Sequence, residues 1–270
     1  MVPTSILLFV LVLPAIAPQL LALHDPLEVH VPERLSPPVL FGGTWEYPLG
    51  TDQLGRDIYS RLVHGARGSL LVALTTIFIG GSVGVALGFV AGYFGRWLDS
   101  FLMRMVDVSL SIPMILLALT FAVALGPSFG TIILVIALSL WAHYARLVRG
   151  EVLGLRDRDY VARAKVAGAS HLRIIGRHLL PNVINTITIL ATLQVGQVIM
   201  MEAALSFLGI GIPRPQPAWG RMISDGRQLI ASEWWISFFP GMAILLVVMS
   251  LNLFGDWLRD HLDPKLRQIL

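Results

Sequence analysis

The run GSLLVALTTIFIGGSVGVALGFVAGYFG, residues 68–95, holds no Asp, Glu, Lys or Arg. About 20 apolar residues in a helix cross the hydrocarbon core of a bilayer, so this run suffices for one crossing. Four more charge-free runs share its character: 1–24, 108–145, 178–201 and 234–255. Three of these fit one crossing each. The run 108–145 is too long for one helix, and Gly126-Pro127-Ser128-Phe129-Gly130 near its middle is turn chemistry. It reads as two helices joined by a tight loop, and the expected count becomes six. The expected spans are 4–23, 69–93, 103–125, 129–149, 182–208 and 236–258.

The expected fold is therefore an all-α integral membrane protein with six transmembrane helices. It comprises a first helix at 1–23, an outer loop at 24–68, a five-helix core at 69–258 and a tail at 259–270. Composition agrees: 14% of the 270 residues are charged, against about 25% in a soluble domain. The absence of Cys excludes disulfides. A sequence pI near 9.6 invites a nucleic-acid reading, which is excluded because the basic residues cluster beside the spans. Ile6 to Ala22 also imitates a secretory leader, with Ala15-Ile16-Ala17 as its cleavage site. No Lys or Arg precedes it and Pro18 follows, so a retained first span is the reading adopted.

Charge sets the orientation. Thirteen of the 20 basic residues flank the spans on one side: Arg96 and Arg104, then Arg146 to Arg177, then Arg259, Lys265 and Arg267. The other seven lie in the long loops 24–68 and 209–235. Basic residues concentrate in cytoplasmic connections, which places both termini in the cytoplasm and those two loops outside.

Within the spans, Gly80, Gly84, Gly88 and Gly92 recur every four residues and share one helix face. Small residues let another backbone approach closely. Packing within the subunit and a seam between subunits both fit. The fifth span carries a polar stripe of Asn182, Asn185, Thr186, Thr192, Gly196 and Gln197 within about 140° of arc. Amides facing lipid lack partners, so this face is buried or wet. A translocation path lined by Asn185, Thr186, Thr192 and Gln197 fits, as does hydrogen bonding between helices. Glu202 lies off the stripe near the outer end, and Asp107 near the inner boundary. Intramembrane acids are functional candidates, and structural hydrogen bonding is the alternative. The seven His are scattered without metal-site spacing.

The most informative region is the loop 150–181. Ala-rich sequence up to Ala167 favours a short helix that Gly168 ends. A second helical stretch places Leu172, Ile175 and Leu179 on one side, and Pro181 suits the first turn of the fifth span. The product is a basic, partly apolar elbow, suited either to lipid headgroups or to a protein partner.

Gly168 to Pro181 resembles the coupling loop of importer permeases, whose pattern is Glu-Ala-Ala, three residues, Gly, and later Leu-Pro. Ala164, Gly168 and Leu180-Pro181 match; Ala162 stands in place of Glu, and Arg163 in place of the first Ala. Gly50-Thr51-Asp52-Gln53-Leu54-Gly55-Arg56-Asp57 with Ser60-Arg61-Leu62 resembles the outer-loop signature of the dipeptide/oligopeptide/nickel permease family, C-type subunit. So do Ala204-Leu205-Ser206-Phe207-Leu208-Gly209, Trp219-Gly220 and Gly255-Asp256-Trp257-Leu258-Arg259-Asp260, ending Leu262-Asp263-Pro264.

The resemblance implies a subunit of a bacterial importer in the cell membrane that carries small peptides, with nickel or another small solute as the alternative. It implies a second, homologous permease, two ATPase subunits and an extracytoplasmic binding protein as partners, within membrane lipid. It also implies an ATPase-coupling loop of Asp157, Asp159, Tyr160, Ala162, Arg163, Ala164, Gly168, Ala169, Leu180 and Pro181. Asp157, Asp159 and Arg163 are the charged groups nearest the missing Glu. ATP and Mg would be bound by the partner subunits, since the chain has no Gly-x-x-x-x-Gly-Lys-Ser/Thr phosphate loop and no cofactor of its own is expected. A secondary transporter would show interrupted helices or ionisable groups near mid-membrane, and the spans carry almost none of the latter. A membrane enzyme would show a nucleophile–base arrangement, and none stands out.

Overall fold

In the computed structural model, which describes residues 2–262, the chain is helical apart from its turns and loops. The end of the expected tail, with Asp263-Pro264, lies outside the described residues. Four helices are long and apolar enough to cross a membrane: Ile58–Phe94, Phe129–Leu155, His171–Phe207 and Trp235–His261. A bent pair of helices makes a fifth if it counts as one span, and a shorter apolar helix covers Pro3–Ile16.

The N-terminal segment is not one straight rod. It is built from α1 (Val2–Ile6), a wide turn at Leu7–Val12, α2 (Leu13–Ile16) and α3 (Pro18–Leu21). The break falls at Ala17, whose ψ of 59° leaves the helical region. Residues before proline are pushed out of that region by the proline ring.

Helix α4 (Ile58–Phe94) begins beyond the apolar run because Asp57 caps it. Its carboxylate accepts from the Tyr59 N–H at 3.2 Å and the Ser60 N–H at 3.0 Å. Such caps satisfy the amides that a helix start leaves without partners. The third expected span, 103–125, is not one straight helix in the structure. Helix α5 (Arg96–Ser111) and helix α6 (Met114–Leu125) are bent by 84° at Ile112-Pro113. Ile112 is extended, with ψ 120°, again ahead of a proline. The tight loop expected near residue 128 is present. The Thr131 hydroxyl donates to the Gly126 carbonyl at 2.8 Å before α7 (Phe129–Leu155) proceeds.

One correction concerns the fifth span. Pro181 does not open it. A continuous helix runs from His171 to Phe207, made of α9 (His171–Ile174), a wide turn at Ile175–Leu179 and α10 (Leu180–Phe207). Ser170 caps its start by accepting from the Arg173 N–H. In the wide turn the Leu180 N–H reaches back to the Ile175 carbonyl. That register absorbs the missing proline N–H, which would break an ordinary helix here. Short α8 (Asp159–Val166) precedes it; α11 (Trp219–Gly226) and α12 (Trp235–Leu262) complete the chain.

The described chain forms two compact units. One holds the residues up to Leu74, Ala118–Ile133 and Val195–Phe254. Its interior contains Trp219, whose indole donates to the Leu62 carbonyl at 2.9 Å, and the buried carboxyl of Glu202. The other holds Thr75–Leu117, Leu134–Gln194 and the residues from Gly255. It is organised by a seam between α4 and α7. A Cβ on Gly84 would lie 2.2 Å from the Trp141 carbonyl oxygen, and one on Gly88 2.8 Å from that of Ala145. A Cβ on Gly80 would likewise lie 3.0 Å from the Ala137 carbonyl oxygen, and one on Gly92 3.0 Å from that of Arg149. The four glycines therefore let two helix backbones of this one chain touch. A two-pronged ion pair stands beside the seam, with Arg149 of α7 reaching Asp99 of α5 at 2.7 and 3.0 Å.

Candidate functional site

The elbow at 157–181 is assembled from its sequence step by step. Arg158 precedes α8, and Asp159 in the first turn with Arg163 and Lys165 in the last suits the helix dipole. Gly168 ends the helix in the left-handed region, at φ +76°. The Ala169 N–H bonds to the Ala164 carbonyl and the Gly168 N–H to that of Lys165, both at 3.0 Å. This pair of bonds is the glycine-dependent cap that satisfies the last carbonyls of a helix.

One face of the elbow is sunk into the second unit. Val161, Ile174 and Leu179 are buried with Val148, Val152, Phe89 and Val183. Each such side chain contributes about 1.5–3 kcal/mol when removed from water. Tyr93 adds two contacts: its hydroxyl lies 2.9 Å from His171 Nδ1, and its ring is 5.7 Å from Lys165 Nζ. Arg156 donates to the Gly92 carbonyl at 2.9 Å. The elbow is thus firmly seated, and what it presents outward is well defined.

The outward face carries Asp157, Asp159, Tyr160, Ala162, Arg163 and Gly168, all exposed, with Ala164 and Ala169 half-buried. Val166 and Leu172 flank the glycine and are 90% and 83% exposed. The sequence pattern put Leu172, Ile175 and Leu179 on one side of the helix. In the structure Ile175 and Leu179 do pack into the seat, joined by Ile174, while Leu172 stays exposed. Leu180 is half-buried and Pro181 exposed. The outward surface thus combines small residues, two exposed apolar side chains and mixed charge.

The polar stripe of α10 has a different character. Asn182, Asn185 and Gln197 are exposed, and Thr186 and Thr192 half-buried. Asn182 donates back to the His178 carbonyl at 2.7 Å, and the Thr192 hydroxyl to that of Thr188 at 2.9 Å. These bonds stay within the helix. Gln194 falls outside the stripe's arc and was not singled out from the sequence. It is buried, and its Oε1 accepts no hydrogen bond among the described residues.

Both acids noticed in the sequence have structural partners. Glu202 accepts from the Ser69 hydroxyl at 2.8 Å and from Ser206 at 2.6 Å, which ties α4 to α10 within the first unit. Asp107 pairs with Arg146. Three of the family-like segments outside the elbow carry local joints. Asp52 accepts from the Leu54 and Arg56 N–H groups and pairs with the Arg56 side chain at 2.7 Å. Gly209 closes α10 at φ +88° with the same cap that ends α8. Gly220 leaves room for the Ala203 carbonyl, which a Cβ would meet at 1.9 Å.

Residues 84–268 match the family described as binding-protein-dependent transport system inner membrane component. The chain is 44% identical over 228 residues to a dipeptide transport system permease of Alkalihalophilus pseudofirmus, covering 84% of this chain and 75% of that one. It is 39% identical over 264 residues to a probable D,D-dipeptide transport system permease of Escherichia coli, with coverage of 98% and 87%. The nickel transport system permease of the same organism is 39% identical over 261 residues, with coverage of 97% and 92%. Among solved structures, a chain from inward-facing forms of the MetNI methionine ABC transporter shares the fold. The TM-score is 0.61 at 18% identity, over 75% of this chain and 96% of that one.

Proposed function

Because the chain belongs to the family of binding-protein-dependent transport system inner membrane components, we propose that it is the C-type permease subunit of a bacterial ABC importer that brings small peptides into the cell. Peptide cargo is supported by the identity to dipeptide permeases over nearly the whole chain. Nickel is the second reading, supported by the similarly extensive match to a nickel permease. Uptake of labelled dipeptide and of radioactive nickel by cells with and without the intact transporter separates the two readings.

In this reading the chain spans the cell membrane six times with both termini cytoplasmic, and the N-terminal segment and the bent α5–α6 pair each account for one crossing. It performs no hydrolysis itself. A homologous permease completes the pathway, two ATPase subunits bind ATP and Mg, and an extracytoplasmic binding protein delivers cargo. A broken helix by itself also fits a secondary transporter; the family assignment decides against that class.

The observation that carries the mechanism is the elbow. Its exposed face projects from a seat of buried Val161, Ile174 and Leu179, and its second arm continues without interruption into the helix that bears Asn185, Thr186, Thr192 and Gln197. A push on Ala162 to Ala169 by closing ATPases would move that helix and switch access to the polar stripe. Co-purification tests this reading: an ATPase subunit should elute with the wild-type chain. Retention by a chain whose elbow face is replaced with Glu at Val166 and Leu172 would count against it.

A further inference from the structure

The first compact unit carries an open recess of about 320 Å³ that the proposed cycle does not use. Four arginines and two aspartates line it: Arg56, Arg61, Arg214, Arg221, Asp52 and Asp225. The carboxylates are already committed. Asp52 Oδ2 is 2.7 Å from Arg56 Nε and 3.6 Å from Arg61 Nε, so one oxygen serves two guanidinium groups. Asp225 pairs with Arg214 at 2.7 Å. Arg221 has no carboxylate partner among the described residues, and its Nε is buried without a hydrogen bond. The Nε of Arg61, a residue 2% exposed, is likewise buried and makes no hydrogen bond, although its Nη1 donates to the Pro26 carbonyl at 3.3 Å.

A buried donor without an acceptor costs free energy, more when it is charged. Guanidinium groups that line a recess in surplus over carboxylates select an anion that can accept from several N–H groups at once. We propose that this cavity binds a carboxylate, and that its natural source is the free C-terminal carboxylate of a short peptide. The source rests on the peptide reading above; the carboxylate chemistry rests on the cavity alone. The depth of Arg61 favours a narrow chain end over the face of a protein, and the volume suits a small ligand.

The test titrates the purified full chain in nanodiscs with tri-alanine and with tri-alanine amide, which lacks the carboxylate. Saturable binding of tri-alanine is expected, with the amide weaker by roughly tenfold or more, the loss from removing a hydrogen bond to a charged group. Arg221→Gln breaks no ion pair and should lose a similar factor, while Arg221→Lys keeps part of the affinity. If Arg221→Gln fails to fold by its melting curve, Arg214→Gln, at a more exposed position, takes its place. Equal binding of acid and amide, or wild-type affinity in Arg221→Gln, overturns the proposal. So does weakened attachment of the binding protein in that variant with acid preference unchanged. Acetate should displace tri-alanine whichever solute is transported. A transporter that imports no peptide would therefore refute the cargo reading and leave the carboxylate preference standing.

Discussion

Gly168 offers the sharpest perturbation of the elbow, because backbone conformation and space can be separated there. Its φ is +76°, and a Cβ added to it would meet no heavy atom within 4 Å. Any effect of substitution therefore comes from backbone strain. A left-handed conformation costs an L-residue roughly 1–2 kcal/mol, and Asn tolerates it best. If the seated elbow is the form that docks, that cost lowers its population by up to about 5- to 30-fold, and the apparent ATPase affinity of Gly168→Val falls by the same factor. Gly168→Ala should fall near the lower end, and Gly168→Asn should stay close to wild type. Gly154→Ala is the control, since its Cβ also meets nothing within 4 Å and its φ is not positive. The assay is titration of reconstituted permease with its ATPase subunits, read as peptide-stimulated hydrolysis. Equal affinities for Gly168→Val and Gly168→Asn would refute the argument, because the left-handed cost, which Asn largely escapes, would then have no bearing on docking.

Two further perturbations test the packing. Gly84→Ala must push α4 from the Trp141 carbonyl, 2.2 Å from the new Cβ, and should destabilise the chain by about 1–3 kcal/mol in a detergent unfolding titration. Gly81→Ala meets only the Tyr144 ring at 3.4 Å and should unfold at or above the wild-type midpoint, since Ala is the better helix former by about 1 kcal/mol. Glu202→Ala leaves two hydroxyls without their acceptor and should cost about 2–4 kcal/mol, whereas Glu202→Gln retains an acceptor and should cost under about half of that, both read as thermal midpoints in detergent.

The charge-free runs made the long helices legible, because hydrocarbon excludes charge wherever a helix crosses it. Backbone direction was not legible by that route. Pro113 sits inside the charge-free run 108–145, and hydropathy is blind to the 84° turn taken there. The proline itself was the available signal, since it forces Ile112 out of the helical region. Pro181 misled in the opposite sense: it reads as a helix start, yet a wide turn absorbs it, and Ser170 is the cap that marks the true beginning. Gly168 was readable because a left-handed cap leaves a glycine in the sequence. The cavity of Arg61 and Arg221 was not readable, because their shared recess depends on packing between segments far apart in the chain.

The central claim is that the elbow face between Asp157 and Leu172 is where the ATPase docks. A photoactivatable crosslinker placed at Val166, 90% exposed, in the assembled transporter tests it most directly. Trp45, 79% exposed in the loop 24–68, is the control position. The account predicts that Val166 captures the ATPase subunit and Trp45 does not. Capture of the ATPase from Trp45, with none from Val166, would contradict it.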